Sequence, residues 1–144
     1  MKNKTQAFEH AISKAKDIHK LTDILKTLDN SSLSFSNYFK ELFYSKNYSI
    51  KDFLSLSNIS KASFYEFLNG STIPNRDTIF KLAFALSLTR DETDRFLKLC
   101  NKGALYPMNP RDSIIIFCLN NNYTLIDTDI ILYDNDLLPL TTTK

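Results

Sequence analysis

The stretch SIKDFLSLSNISKASFYEFLNG, residues Ser49 to Gly70, decides how the rest of the chain is read. Ser49 suits the cap of a short helix, because its hydroxyl accepts a bond from an amide of the first turn that has no partner inside the helix. Apolar Ile50, Phe53, Leu54 and Leu56 come next, and Ser57-Asn58 then breaks the pattern. Asn tolerates a left-handed backbone better than most residues, so Asn58 marks a tight turn. Ile59 is an apolar plug behind it. Ser60 caps a second helix with an inward stripe of Phe64, Phe67 and Leu68, and Gly70 ends it. Two short helices around a left-handed residue form the arrangement that lays a helix in a DNA major groove.

Outward from this stretch, apolar residues recur at helical spacing almost throughout. Residues 5 to 29 carry Phe8, Ala11, Ile12, Ala15, Ile18, Leu21, Leu25 and Leu28 on one face, which predicts a packing helix or two shorter ones broken at Asp17. Its near-heptad spacing also suits self-association. The polar run Asp29-Asn30-Ser31-Ser32 separates this segment from the next helix. That helix is expected from Ser34, with Phe35, Tyr38, Phe39, Leu42 and Phe43 inward and a stop near Asn47. Beyond Gly70, Pro74 fixes a loop and a helix runs from about Arg76 to Leu86. Thr89 and Glu92 have capping-box spacing and open another helix, which reaches Asn101.

Residues 34 to 101 resemble the Cro/C1-type helix-turn-helix domain of phage repressors and small bacterial regulators. The likeness lies in Tyr48-Ser49, in Asn58-Ile59-Ser60-Lys61 across the turn, and in Phe64, Phe67 and Gly70. Ile73-Pro74-Asn75-Arg76 stands at the loop after the recognition helix, and Leu82 to Thr89 resembles the family's LAxALxLS segment. The resemblance implies an all-α fold: a central five-helix domain over 34–103, flanked by helical extensions over 1–33 and 104–144. It implies a sequence-specific, DNA-binding transcription regulator that acts as a dimer on double-stranded DNA and reads it with Lys61 to Leu68. Ser60, Lys61, Ala62, Ser63, Tyr65 and Asn69 would then meet the groove, while Ser49, Lys51 and Arg76 would grip phosphates at helix starts. The family often has Gln in the first turn of the second helix; Ile50 stands there in this chain. An alternative keeps the fold but uses the same exposed helix, or the acidic C-terminal region, to hold a protein partner.

The C-terminal 104–144 contains a linker with Pro107 and Pro110, then a helix expected to start at Asp112 or Ser113. Tyr123-Thr124-Leu125-Ile126-Asp127 echoes Tyr48 to Asp52, as ordinary capping or as a second helix-turn-helix start. Ile114-Ile115-Ile116 and Ile130-Ile131-Leu132 admit a strand reading, but the caps around them favour helices.

The composition agrees with a globular helical protein. It is 43% hydrophobic and 24% charged, with 2 Gly and 4 Pro in 144 residues, too few breakers for a turn-rich sheet protein. The net charge of +2 does not imply nucleic acid, but its distribution favours the middle of the chain. Residues 35–103 hold 10 Lys and Arg against 7 Asp and Glu, whereas residues 104–144 hold 2 against 5.

Catalysis finds no support, and no cofactor or metal is expected. His10 and His19 are not at ligand spacing, and the acids Asp127, Asp129, Asp134 and Asp136 lack the glycine turn of a calcium loop. No phosphate loop or nucleophile elbow is present. Cys100 and Cys118 are isolated, which suits a reduced, cytoplasmic setting, and no membrane partner is expected.

Overall fold

Helix caps written into the sequence set most of the element boundaries. The computed structural model describes residues 31–141, in which seven α-helices and no strand are found. They are α1 (Ser31–Ser45), α2 (Ile50–Ser57), α3 (Lys61–Asn69), α4 (Arg76–Ala85), α5 (Arg90–Leu99), α6 (Pro110–Asn120) and α7 (Leu125–Asp134). The helix expected over residues 5 to 29 lies outside the described residues. The described residues from Ser32 onward belong to one compact unit, and among the described residues no helix is long and apolar enough to cross a membrane.

The core begins as a nest of phenylalanines. Phe39 of α1 has five rings within 5.8–6.3 Å of its own: Phe35 and Phe43 from the same helix, Phe53 from α2, Phe64 from α3 and Phe96 from α5. Phe35, Phe39, Phe53, Phe64 and Phe96 are each completely buried. Such stacked, tilted and edge-on pairs add roughly 0.5–1.5 kcal/mol each beyond their burial. The Ser36 hydroxyl, also buried, donates to the Leu68 carbonyl and closes the end of α3 against α1.

Helix α4 is the axle. Ile79, Phe80, Leu82, Ala83, Phe84 and Ala85 are all buried, an apolar pattern around most of its circumference that a surface helix would not show. It packs on α2, α5 and α7. Asn75 caps it with a side-chain bond to the Thr78 amide, and Thr89 and Glu92 form the complete capping box of α5.

The C-terminal helices join the same core through Ile115, Cys118, Leu119, Leu125, Leu132 and Leu140. Two starts differ from the sequence expectation. Helix α1 begins at Ser31 rather than Ser34, and α6 begins at Pro110 rather than at Asp112 or Ser113. For α6 the reason is local: Asn109 caps the helix by accepting from the Asp112 amide, and Pro110 occupies the first position, where its missing N–H costs nothing. The linker before it is stitched down, with Leu105 buried and its amide donating to Asp94. Ile114 to Ile116 lie in α6 and Ile130 to Leu132 in α7. Thr124 and Asp127 make a reciprocal capping box at the start of α7.

Candidate nucleic-acid interface

The turn between α2 and α3 is built as its residues dictate. Ser49 accepts from the Asp52 amide at 3.1 Å and holds the start of α2. Asn58 ends that helix in the left-handed region (φ 54°), its amide bonded to the Leu54 carbonyl at 3.0 Å. Ile59 packs half-buried against the core. Ser60 caps α3 by accepting from the Ser63 amide at 3.0 Å, and Gly70 closes it with φ 77°. One support was not legible in advance. Lys81 reaches from α4 to donate to the Asn58 carbonyl at 3.4 Å, which binds the turn to the central helix. A lysine between Phe80 and Leu82 carries no sequence signal for that role.

Helix α3 buries Phe64, Phe67 and Leu68 and leaves Lys61, Ala62, Tyr65, Glu66 and Asn69 exposed. Ser49 and Lys51 are exposed at the start of α2, and Ser60 at the cap of α3. Ser63 is partly covered, and its hydroxyl accepts from that of Ser60 at 2.9 Å, so these two serines are engaged with each other. Asn69 uses its side-chain oxygen on the Ser71 amide at 2.9 Å, which leaves its NH2 group as the outward donor. The Glu66 carboxylate accepts a long bond, 3.4 Å, from the Thr72 hydroxyl.

Side chains of α2 and α3 together line a trough of about 440 Å³. Its walls are Ile50, Leu54 and Tyr65, and Lys51 and Lys61 complete the lining. Ile50 is 37% exposed and Tyr65 43%, so the first turn of α2 presents an apolar side chain to the outside. Leu56 is likewise exposed; of the four apolar residues in α2, only Phe53 is fully buried.

Arg76 does not join this surface. Its guanidinium forks onto both carboxylate oxygens of Asp112 at 2.8 Å, donates to the carbonyls of Gly103 and Ala104, and stacks over the Phe80 ring. Burial would raise the Asp112 carboxyl, but the Arg76 hydrogen bonds, the Tyr106 amide and the positive charges of Arg76 and Arg111 outweigh it and hold the group below its ordinary value. The hydrogen bond to Asp112 correspondingly raises Arg76. Arg76, expected to grip phosphate, here ties α4 to α6.

Other surfaces show different chemistry. Phe35 is buried, and Tyr38 lies under the Arg95 guanidinium (4.8 Å) and edge-on to Phe96 (5.1 Å), so neither shares an open apolar patch with Tyr65. Along α7, Ile126, Ile130 and Tyr133 are exposed at one-turn spacing, with the exposed acids Asp127 and Asp134 beside them. A second groove, of about 420 Å³, lies among residues of α2, the end of α4 and the start of α7. Its single carboxylate, Asp129, is already bonded to the amides of Leu140 and Thr141 and to the Thr141 hydroxyl. Among the described residues no group of three His, Cys, Asp or Glu side chains converges to hold a metal ion. Compared with protein-family models, with curated proteins and with solved structures, the chain matches none.

Proposed function

We propose that the chain is a Cro/C1-type regulator that binds double-stranded DNA, laying Lys61 to Leu68 in the major groove. The observation that carries this reading is the pairing of two serine-capped helix starts, at Ser49 and Ser60, with Lys51 and Lys61 on one shared trough. Helix starts favour phosphate through their free amides and dipoles, and the two ammonium groups reinforce that preference. Lys61, Ala62, Tyr65 and the Asn69 amide are the exposed groups of α3 available for base edges or backbone. Two lysines release few counterions, so the reading includes a dimer, which doubles the contacts and sets two half-sites about one helical turn apart. Transcriptional control is the consequence of such binding.

The test is binding of the full chain to mixed-sequence duplex as a function of salt, with Lys61→Ala beside wild type. Wild type should bind at low ionic strength and weaken as salt rises, and Lys61→Ala should bind less and respond less to salt. Absence of wild-type binding even at low ionic strength ends the DNA reading.

A second reading rests on a separate observation. The exposed stripe Ile126, Ile130 and Tyr133, edged by Asp127 and Asp134, is the kind of apolar surface rimmed by charge that marks a protein contact. It favours a protein partner for the acidic C-terminal region, with or without DNA on the other face.

A further inference from the structure

We infer that the trough between α2 and α3 is a seat for thymine methyl groups, so that the protein favours thymine-rich duplex; this deepens the DNA reading above and rests on it. The walls of the trough, Ile50, Leu54 and Tyr65, offer hydrocarbon and one phenol, and its only charges are the ammonium groups of Lys51 and Lys61. No carboxylate and no amide side chain lines it. An occupant must therefore present an apolar group between anions. In the major groove of DNA one base-edge group is apolar, the C5 methyl of thymine, and phosphates flank it on both strands. The amino groups of cytosine and adenine would lose water against Ile50 and Leu54, where no carboxylate or amide side chain accepts from them.

Ala62, exposed on the next strip of α3, adds a further methyl contact beside the trough. Ile50 thus changes what the first turn of α2 recognises, from a hydrogen-bonding amide's target to an apolar one.

The experiment compares one mixed-sequence duplex with the same duplex in which deoxyuridine replaces every thymidine. The two differ only by the C5 methyls, with phosphates and hydrogen-bonding edges unchanged. Wild-type chain should bind the thymine duplex about fourfold more tightly for each methyl seated, the ratio expected for burying one such group. Ile50→Ser and Tyr65→Ser should abolish most of that ratio while keeping the wild-type dependence on salt. Equal affinity for the two duplexes overturns the methyl seat and leaves the DNA reading standing, as does an unchanged ratio in both variants. Absence of binding to either duplex at low salt overturns both. Binding of a leucine-bearing polyglutamate peptide in place of DNA, lost in Tyr65→Ser, would instead assign the trough to an acidic protein partner.

Discussion

Arg76 and Asp112, thirty-six residues apart, meet in a two-pronged ion pair with both bonds at 2.8 Å, and the residue beside each repeats the pairing in reverse. Asp77 accepts from Arg111 at 2.7 and 3.1 Å, so the dipeptide Arg76-Asp77 at the start of α4 crosses Arg111-Asp112 at the start of α6. Arg111 also donates to the carbonyls of Leu138 and Pro139, which extends the tie to the C-terminal segment. A planar fork on a carboxylate fixes orientation as well as distance. The two pairs therefore set how the last two helices sit on the axle of the fold.

The Asp112 side chain is 6% exposed and that of Arg76 is 33% exposed. Removing one partner of a fully buried pair costs about 3–5 kcal/mol, and the partial exposure of Arg76 lowers that cost. Asp112→Asn should destabilise the chain by about 2–3 kcal/mol, read as a fall in the urea midpoint. Arg76→Ala should cost a similar amount, and the double variant much less than the sum of the two.

Acid should weaken the same tie, with a definite sign. Asp112 is held below its ordinary carboxyl value in the folded chain, so below that ordinary value the unfolded chain takes up a proton that the folded chain does not. The contribution is complete above the ordinary value of 3.8 and is lost as pH falls through the lower, folded one. Thermal melts from pH 6 downward should show a steeper loss of Tm below about pH 4 in wild type than in Asp112→Asn.

Two left-handed residues give opposite substitution rules from the usual ones. Asn58 (φ 54°) ends α2 and Ser87 (φ 54°) ends the turn after α4, where the Leu88 amide closes back on the Ala83 carbonyl at 3.0 Å. Left-handed backbone costs roughly 1–2 kcal/mol for a residue with a side chain, while glycine adds unfolded-state entropy of about 0.4–1 kcal/mol. Ser87→Gly should therefore raise stability by about 0.5 kcal/mol. Asn58→Val should lower it by about 1–2 kcal/mol, since a β-branched residue is poorly suited to that conformation. Urea denaturation at constant m-value checks both.

Surface and structural cations should separate cleanly in DNA-binding assays. Lys51→Ala and Lys61→Ala should each reduce the slope of log K against log salt by about 1 and leave the melting curve unchanged. Arg76→Ala should lower the melting temperature while leaving the slope of its folded form at the wild-type value, because its guanidinium is already engaged by Asp112 and two carbonyls.

The cysteines should be silent in the folded chain. Cys100 is 3% exposed and Cys118 completely buried; burial raises both thiols, that of Cys100 to about 12. At pH 8 a thiol reagent should label neither at an appreciable rate until urea opens the fold, since the thiolate is the reactive form. Prompt labelling in native buffer would contradict this packing.

Much was legible in local sequence because the relevant forces are local. Ser49, Ser60, Asn75, Thr89 and Thr124 each stand next to the amides they cap, Asn58 and Gly70 carry their backbone preference within themselves, and the spacing of Phe35, Phe39 and Phe43 places them on one face of a single helix. These determined that residues 49–70 form two helices about a tight turn and that the surrounding chain is helical. Tertiary structure decided what no local rule contains. It drew Arg76 onto Asp112, set Lys81 on the turn carbonyl, and left Ile50 facing outward beside two lysines. The reason is that a cap needs a partner a few residues away, whereas an ion pair across thirty-six residues or an exposed apolar wall depends on which helices the whole core brings together.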